Sequence, residues 1–172
     1  MSYFSRVPWS LFFALPGLLA GGGVALAGPT VSPSSLQSSL ACDAPGVTAA
    51  MPRLLMTVPG IRKATGDITF TLYGADPKRF LAHQGKIGLI RVPVTGPSVE
   101  GCFALSGPGT YAVAIYDDAN GNHRFDLTMV GLPAEAYGFS NNPAIFMAPP
   151  GFRKAAFTVA PGVNRIAIRL NY

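Results

Sequence analysis

Beyond residue 53 apolar and polar residues alternate in short runs, with the period of two that sends successive side chains to opposite faces of a strand. Leu54, Met56 and Val58 lie on one side of the first run, which stops at Pro59-Gly60. Asp67 to Tyr73 sends Ile68, Phe70 and Leu72 inward and Thr69, Thr71 and Tyr73 outward. Further runs cover Lys86 to Val94, Val99 to Leu105, Tyr111 to Tyr116, Phe152 to Val159 and Asn164 to Tyr172. In the last, Ile166, Ile168 and Leu170 face one way and Arg165, Arg169 and Asn171 the other. No stretch carries a convincing helical period, and Pro77 to Gln84 reads as one short helix or a loop. The pattern predicts an all-β domain over residues 53–172: an antiparallel seven-stranded β-sandwich, immunoglobulin-like or transthyretin-like. Gly107-Pro108-Gly109 leads into Tyr111, a tyrosine placed to tie a corner of such a sandwich.

Upstream the pattern changes twice. Met1 to Arg6 is short and carries one positive charge, and Val7 to Ala27 carries none. That stretch ends in Ala25-Leu26-Ala27, the small-x-small pattern of a signal-peptidase site, so residues 1–27 read as a cleavable signal peptide. An uncleaved membrane anchor would need a continuous helix, and Pro16 and Gly21-Gly22-Gly23 oppose one. Residues 28–52 are rich in Ser, Pro and Ala and read as a linker or arm. A lipid anchor at Cys42 is discounted because the residues before it are polar and far from the apolar leader. The expected location is periplasmic or secreted after cleavage near Ala27, with no membrane span left.

Export changes the reading of the cysteines. The chain has two, Cys42 and Cys102, and both lie beyond the leader. In an oxidising compartment such a pair is expected to form a disulfide. Charge excludes one class of partner. Thirteen basic residues face eight acidic ones, a formal net charge of +5, but the basic residues come singly or in pairs. Nucleic acid needs a concentrated positive face, and none is visible.

Chemistry concentrates in Asp117-Asp118-Ala119-Asn120-Gly121-Asn122-His123-Arg124-Phe125-Asp126. Counted from Asp118, oxygen-bearing side chains fall at positions 1, 3, 5 and 9, so Asp118, Asn120, Asn122 and Asp126 offer a Ca2+ ligand set. His123 stands where an EF-hand loop has Gly, and Met129 where it has a bidentate Glu. The competing reading is turn chemistry alone, since Asn and Asp cap local backbone and tolerate left-handed conformations. Asp126 and Glu135 are a conceivable hydrolase pair. Ser140 lacks the second glycine of a nucleophile elbow, and His83 and His123 fit no zinc pattern. No catalytic constellation is expected. Tyr137, Phe139 and Phe146 supply a contact patch in the same long loop.

The stretch GTYAVAIYDDANGNHRFDLTMVGLPAEAYGFSNNP resembles the signature of an uncharacterised bacterial family, domain of unknown function 2141. The matching pieces are Pro108 to Ala112, Asp118 to Asp126, Gly131 to Asn142, then Ala148 to Phe152 and Ala156-Phe157. His123 stands where members often carry Gly, and Ala134 where Lys is common. The resemblance covers roughly Leu54 to Tyr172 and implies an exported β-sandwich with no catalytic residues assigned. The expected function is therefore a non-enzymatic binding or envelope-accessory module whose partner is an envelope or extracellular protein or glycan. The alternatives are a purely structural envelope protein and a hydrolase.

Overall fold

A computed structural model describes residues 40–146 and 148–172. The expected signal peptide and the first part of the arm lie outside the described residues. Five strands follow the alternation closely: β1 (Arg53–Pro59), β2 (Asp67–Tyr73), β3 (Lys86–Pro93), β4 (Ser98–Ala104) and β5 (Gly109–Asp118). After the long loop come β6 (Tyr137–Phe139), a single helical turn α1 (Phe152–Ala155), β7 (Phe157–Val159) and β8 (Val163–Ala167). The described residues thus form eight strands rather than seven.

The run from Phe152 to Val159, expected as one strand, is divided between two conformations because its apolar residues serve two different cores. Phe152 and Ala155, three apart on the helical turn, pack on one side of the large sheet. Phe157 and Val159, two apart on β7, join the main core. Pro77 to Gln84 is a chain of turns, closed by Ala82 N–H donating to the Arg79 carbonyl and Gly85 N–H to that of Ala82.

The strands make two sheets. One has the order β4-β1-β8, with β1 antiparallel to β4 and parallel to β8. The other has the order β3-β2-β5-β6, and β7 pairs with the opening residues of β5. Between them lies the main core, where Leu54, Met56, Val58 and Phe103 meet Ile68, Phe70, Leu72, Val113 and Ile115. Register brings Met56 opposite Gly101, and a Cβ on Gly101 would stand 2.9 Å from the Phe70 ring. The glycine is therefore the space that Phe70 fills. At the corner before β5 the Tyr111 hydroxyl donates to the Gly107 carbonyl at 2.9 Å, the tie expected from the sequence.

The described part of the arm is packed. Ala41 is buried and bridges Phe103, the Leu40 carbonyl accepts from Ala104 N–H, and Cys42 is bonded to Cys102 on β4 with a Cα–Cα distance of 5.5 Å. The bond closes a loop 60 residues long, which the chain-entropy model values at about 4 kcal/mol. Replacing both cysteines by alanine is expected to lower unfolding free energy by about that amount in urea titrations followed by circular dichroism.

Candidate functional site

The outward positions of β2 and β5 are built like a second interior. Thr71 and Tyr73 on β2 lie beside Ala112, Ala114 and Tyr116 on β5, and register sets Phe139 opposite Ala114 and Tyr137 opposite Tyr116. The two alanines leave a depression between larger side chains. The loop after β5 arches over it with Phe125, Leu127, Leu132 and Pro133, and Ala148 and Pro149 close a further side. The result is a cavity of about 440 Å3, within the range of small-molecule sites. Rings meet edge to face along one wall, with centroid distances of 5.6 Å from Tyr116 to Phe125, 5.8 Å from Phe125 to Tyr137 and 5.8 Å from Tyr137 to Phe139. Phe80 continues the series to Phe139, Tyr73 and Phe152. Tyr137 is half-buried in the wall and Phe139 is buried beneath it; Phe146 is exposed and outside the cavity lining.

The loop over the cavity is held by its own polar side chains. Asp118 is fully buried, and its two oxygens accept the backbone N–H groups of Asn122 at 3.0 Å and His123 at 2.8 Å. Asn120 and Asn122 use their oxygens in Asx turns, accepting from the N–H of Asn122 and of Arg124. Their amide nitrogens both donate to one oxygen of Asp126, at 2.8 and 2.7 Å. Further along, Asp126 N–H donates to Glu135 at 3.1 Å and Ala134 N–H to the Asp126 carbonyl, folding the loop back on itself. The four residues expected as Ca2+ ligands are thus brought together. Two of them present N–H groups to the carboxylate that a cation would require. Turning both amides to face an ion would cost four hydrogen bonds, and no group of three or more His, Cys, Asp or Glu suited to a metal occurs among the described residues.

Ser140-Asn141-Asn142 anchors the other end of the loop. The Ser140 hydroxyl is buried, donates to the Ala155 carbonyl at 2.6 Å and accepts from Val113 N–H at 2.9 Å. Asn141 donates to the Ala156 carbonyl, and Asn142 donates to Ala167 and accepts from Arg169 N–H. Both asparagines have positive φ, 65° and 46°, a region open to Asn because its short side chain bonds locally. Gly138 passes so close to the Arg169 carbonyl that any Cβ would collide with it. Ser140 therefore ties β5 to α1, and Asn142 ties the same turn to the last residues.

A family model described as "Uncharacterized protein conserved in bacteria (DUF2141)" matches residues 56–167. The chain belongs to this family. The DUF2141 match runs from the middle of β1 to the end of β8 and so includes the cavity and the whole loop above it. No curated protein matches the chain. Among solved structures, the pilus-presented adhesin Spy0125 (Cpa) is similar over 73% of this chain and 27% of its own length, with 15% identity and a TM-score of 0.28. A cysteine-to-alanine mutant of that adhesin gives 74%, 28%, 14% and 0.26. This chain thus spans little more than a quarter of the adhesin, and at such scores the likeness carries no inference about its role.

Acidic side chains of this DUF2141 domain gather near the loop over the cavity, with Asp118, Asp126 and Glu135 in the loop's own hydrogen bonds and Asp117 on the inner face of the sheet opposite Ile68. Burial pushes the Asp117 carboxyl above the ordinary carboxylate range; the Tyr172 hydroxyl, donating at 3.3 Å, opposes this, and Asp118 adds to it. Burial likewise raises Glu135; the Asp126 N–H opposes that, and Asp118, Asp126 and Asp117 reinforce it. Asp126 and Glu135 are neighbours, as a hydrolase reading requires, but neither lines the cavity.

Sequence reasoning did not find the pocket floor, because Thr71, Tyr73 and Tyr116 occupy outward positions and read as solvent-facing. The available signal was the absence of charge there, from Thr69 to Tyr73 and from Ala112 to Tyr116.

Two measurements check the loop. His123 holds φ at 64° and its ring lies 3.7 Å from Asp67, an exposed contact of little value. His123→Gly is expected to raise stability by about 0.5–1 kcal/mol in chemical denaturation, since glycine adopts this φ without steric cost. Ca2+ at a weak extracellular-type site would raise stability by about 1–2 kcal/mol at about 5 mM, a shift of several degrees. Because the loop oxygens already hold N–H donors, thermal melts with and without about 5 mM Ca2+ are expected to coincide.

Proposed function

We propose that this protein is an exported, non-enzymatic binding module whose site is the aromatic cavity on the outer face of the large sheet. The observation that carries the reading is a cavity of about 440 Å3 walled by rings and aliphatic side chains on a rigid sheet. Among the described residues its lining offers hydroxyl groups from Thr71, Tyr73, Tyr116 and Tyr137, but no carboxylate, imidazole, thiol or amine. Such a lining can hold an apolar body and orient it through its few hydroxyl groups. Around the opening Leu127, Met129, Val130 and Leu132 stand exposed, which extends the apolar surface beyond the cavity.

Export is part of the same proposal. The Cys42–Cys102 disulfide suits an oxidising compartment, and no helix among the described residues is long and apolar enough to cross a membrane. The leader pattern supplies the route, to the periplasm or the exterior. The tyrosine tie at Tyr111 supports an immunoglobulin- or transthyretin-like sandwich as the scaffold. A purely structural role would need no cavity behind a loop this heavily cross-tied.

An uncharged dye such as Nile red is expected to bind the folded protein at one site with a rise in emission. Phe125→Ala/Leu127→Ala removes two partly exposed walls and is expected to weaken that binding about tenfold while leaving the denaturation midpoint nearly unchanged. Equal dye binding by the variant would place the site elsewhere.

A further inference from the structure

The cavity wall is uncharged, yet the chain segments that form it carry half of the protein's acidic residues. Asp117, Asp118, Asp126 and Glu135 account for four of eight, and in the same stretch the basic side chains are Arg124 and His123. Each acid lies next to the wall in sequence: Asp117 and Asp118 follow Tyr116, Asp126 follows Phe125, and Glu135 lies two residues before Tyr137. Their proximity to one another shows at Glu135, which feels the negative charge of Asp118, Asp126 and Asp117 together. A pocket in a basic protein is thus formed by chain segments of net negative charge, without a carboxylate on its surface.

That combination selects a kind of cation. A primary ammonium carries three N–H donors, and a wall of rings and a few hydroxyls would leave them poorly paired. A methylated ammonium has no such demand. Its charge is spread over methyl groups that pack against aromatic faces, where the ring quadrupole attracts them. Tyr116, Phe125, Tyr137 and Phe139 all line the cavity and contact one another edge to face, so a cation inside it lies against aromatic rings.

We propose that the cavity takes a small organic cation of the quaternary methylammonium class, its charged head against the Tyr116–Phe125–Tyr137 rings and its apolar body along Leu127 and Leu132. This rests on the cavity being the binding site.

The test compares three soluble probes by isothermal titration and by the tyrosine signals of the protein: choline, ethanolamine and 3,3-dimethylbutan-1-ol, the neutral carbon analogue of choline. Choline is expected to bind about tenfold more tightly than the neutral analogue and than ethanolamine. That advantage is expected to shrink as salt is raised from about 20 mM to about 500 mM, because the acids act at a distance through screened solvent. Phe125→Leu keeps apolar bulk at a partly exposed position and is expected to lower choline affinity severalfold while sparing the neutral analogue. Equal binding of choline and the neutral analogue overturns the cation and leaves the apolar pocket standing. Ethanolamine binding as tightly as choline overturns the methylated class. No binding of choline overturns the proposal, and if Nile red also fails to bind, the pocket reading falls with it.

Discussion

The structure depends on one pairing, that of β2 with β5, which runs from Asp67 opposite Asp118 to Tyr73 opposite Ala112. This pair is buried on its inner side and partly buried on its outer side. Its inner face, Ile68, Phe70 and Leu72 with Val113 and Ile115, meets the small sheet. Its outer face is equally free of charge between those ends but has no second sheet to cover it. The long loop after β5 provides that cover, and its internal hydrogen bonds follow from the task. A loop that must lie over an apolar face cannot leave its own backbone groups unpaired. Asp118, Asn120, Asn122 and Asp126 pair them on one side of the cavity, and Ser140, Asn141 and Asn142 do so on the other.

Much of this was legible in advance. Alternation placed β1 to β5 to within a few residues, because each has one face in a continuous core and the period of two survives wherever a face is buried. The tyrosine corner and the disulfide were legible for similar reasons, one tied to a local turn and the other to a count of two cysteines. β6 was not, since Tyr137-Gly138-Phe139 is too short to show a period and pairs only because Ser140 fastens its end to Val113. The run from Phe152 to Val159 misled because a helical turn and a short strand, each apolar, adjoin without a break in composition. The cavity was hidden for a deeper reason. Alternation says which side chains share a face and is silent on whether solvent or a distant loop lies above it.

The polar residues of the loop illustrate how one spacing serves two chemistries. The side chains of Asp118, Asn120, Asn122 and Asp126 come together at the spacing an ion site would use, but with the Asn amide nitrogens donating to Asp126. Local hydrogen bonding then fixes the loop by itself. The loop's acids lie outside the cavity lining, and burial raises the pKa of Asp117 and Glu135.

The cysteine bond has a mechanical meaning as well. Tension applied to the chain at Leu40 enters through Cys42 and passes by a covalent link into the middle of β4, in the small sheet. β2, β5 and β6, which carry the cavity, lie in the other sheet and off that load path. A pull on the leading arm would therefore reach the small sheet before the sheet that carries the cavity.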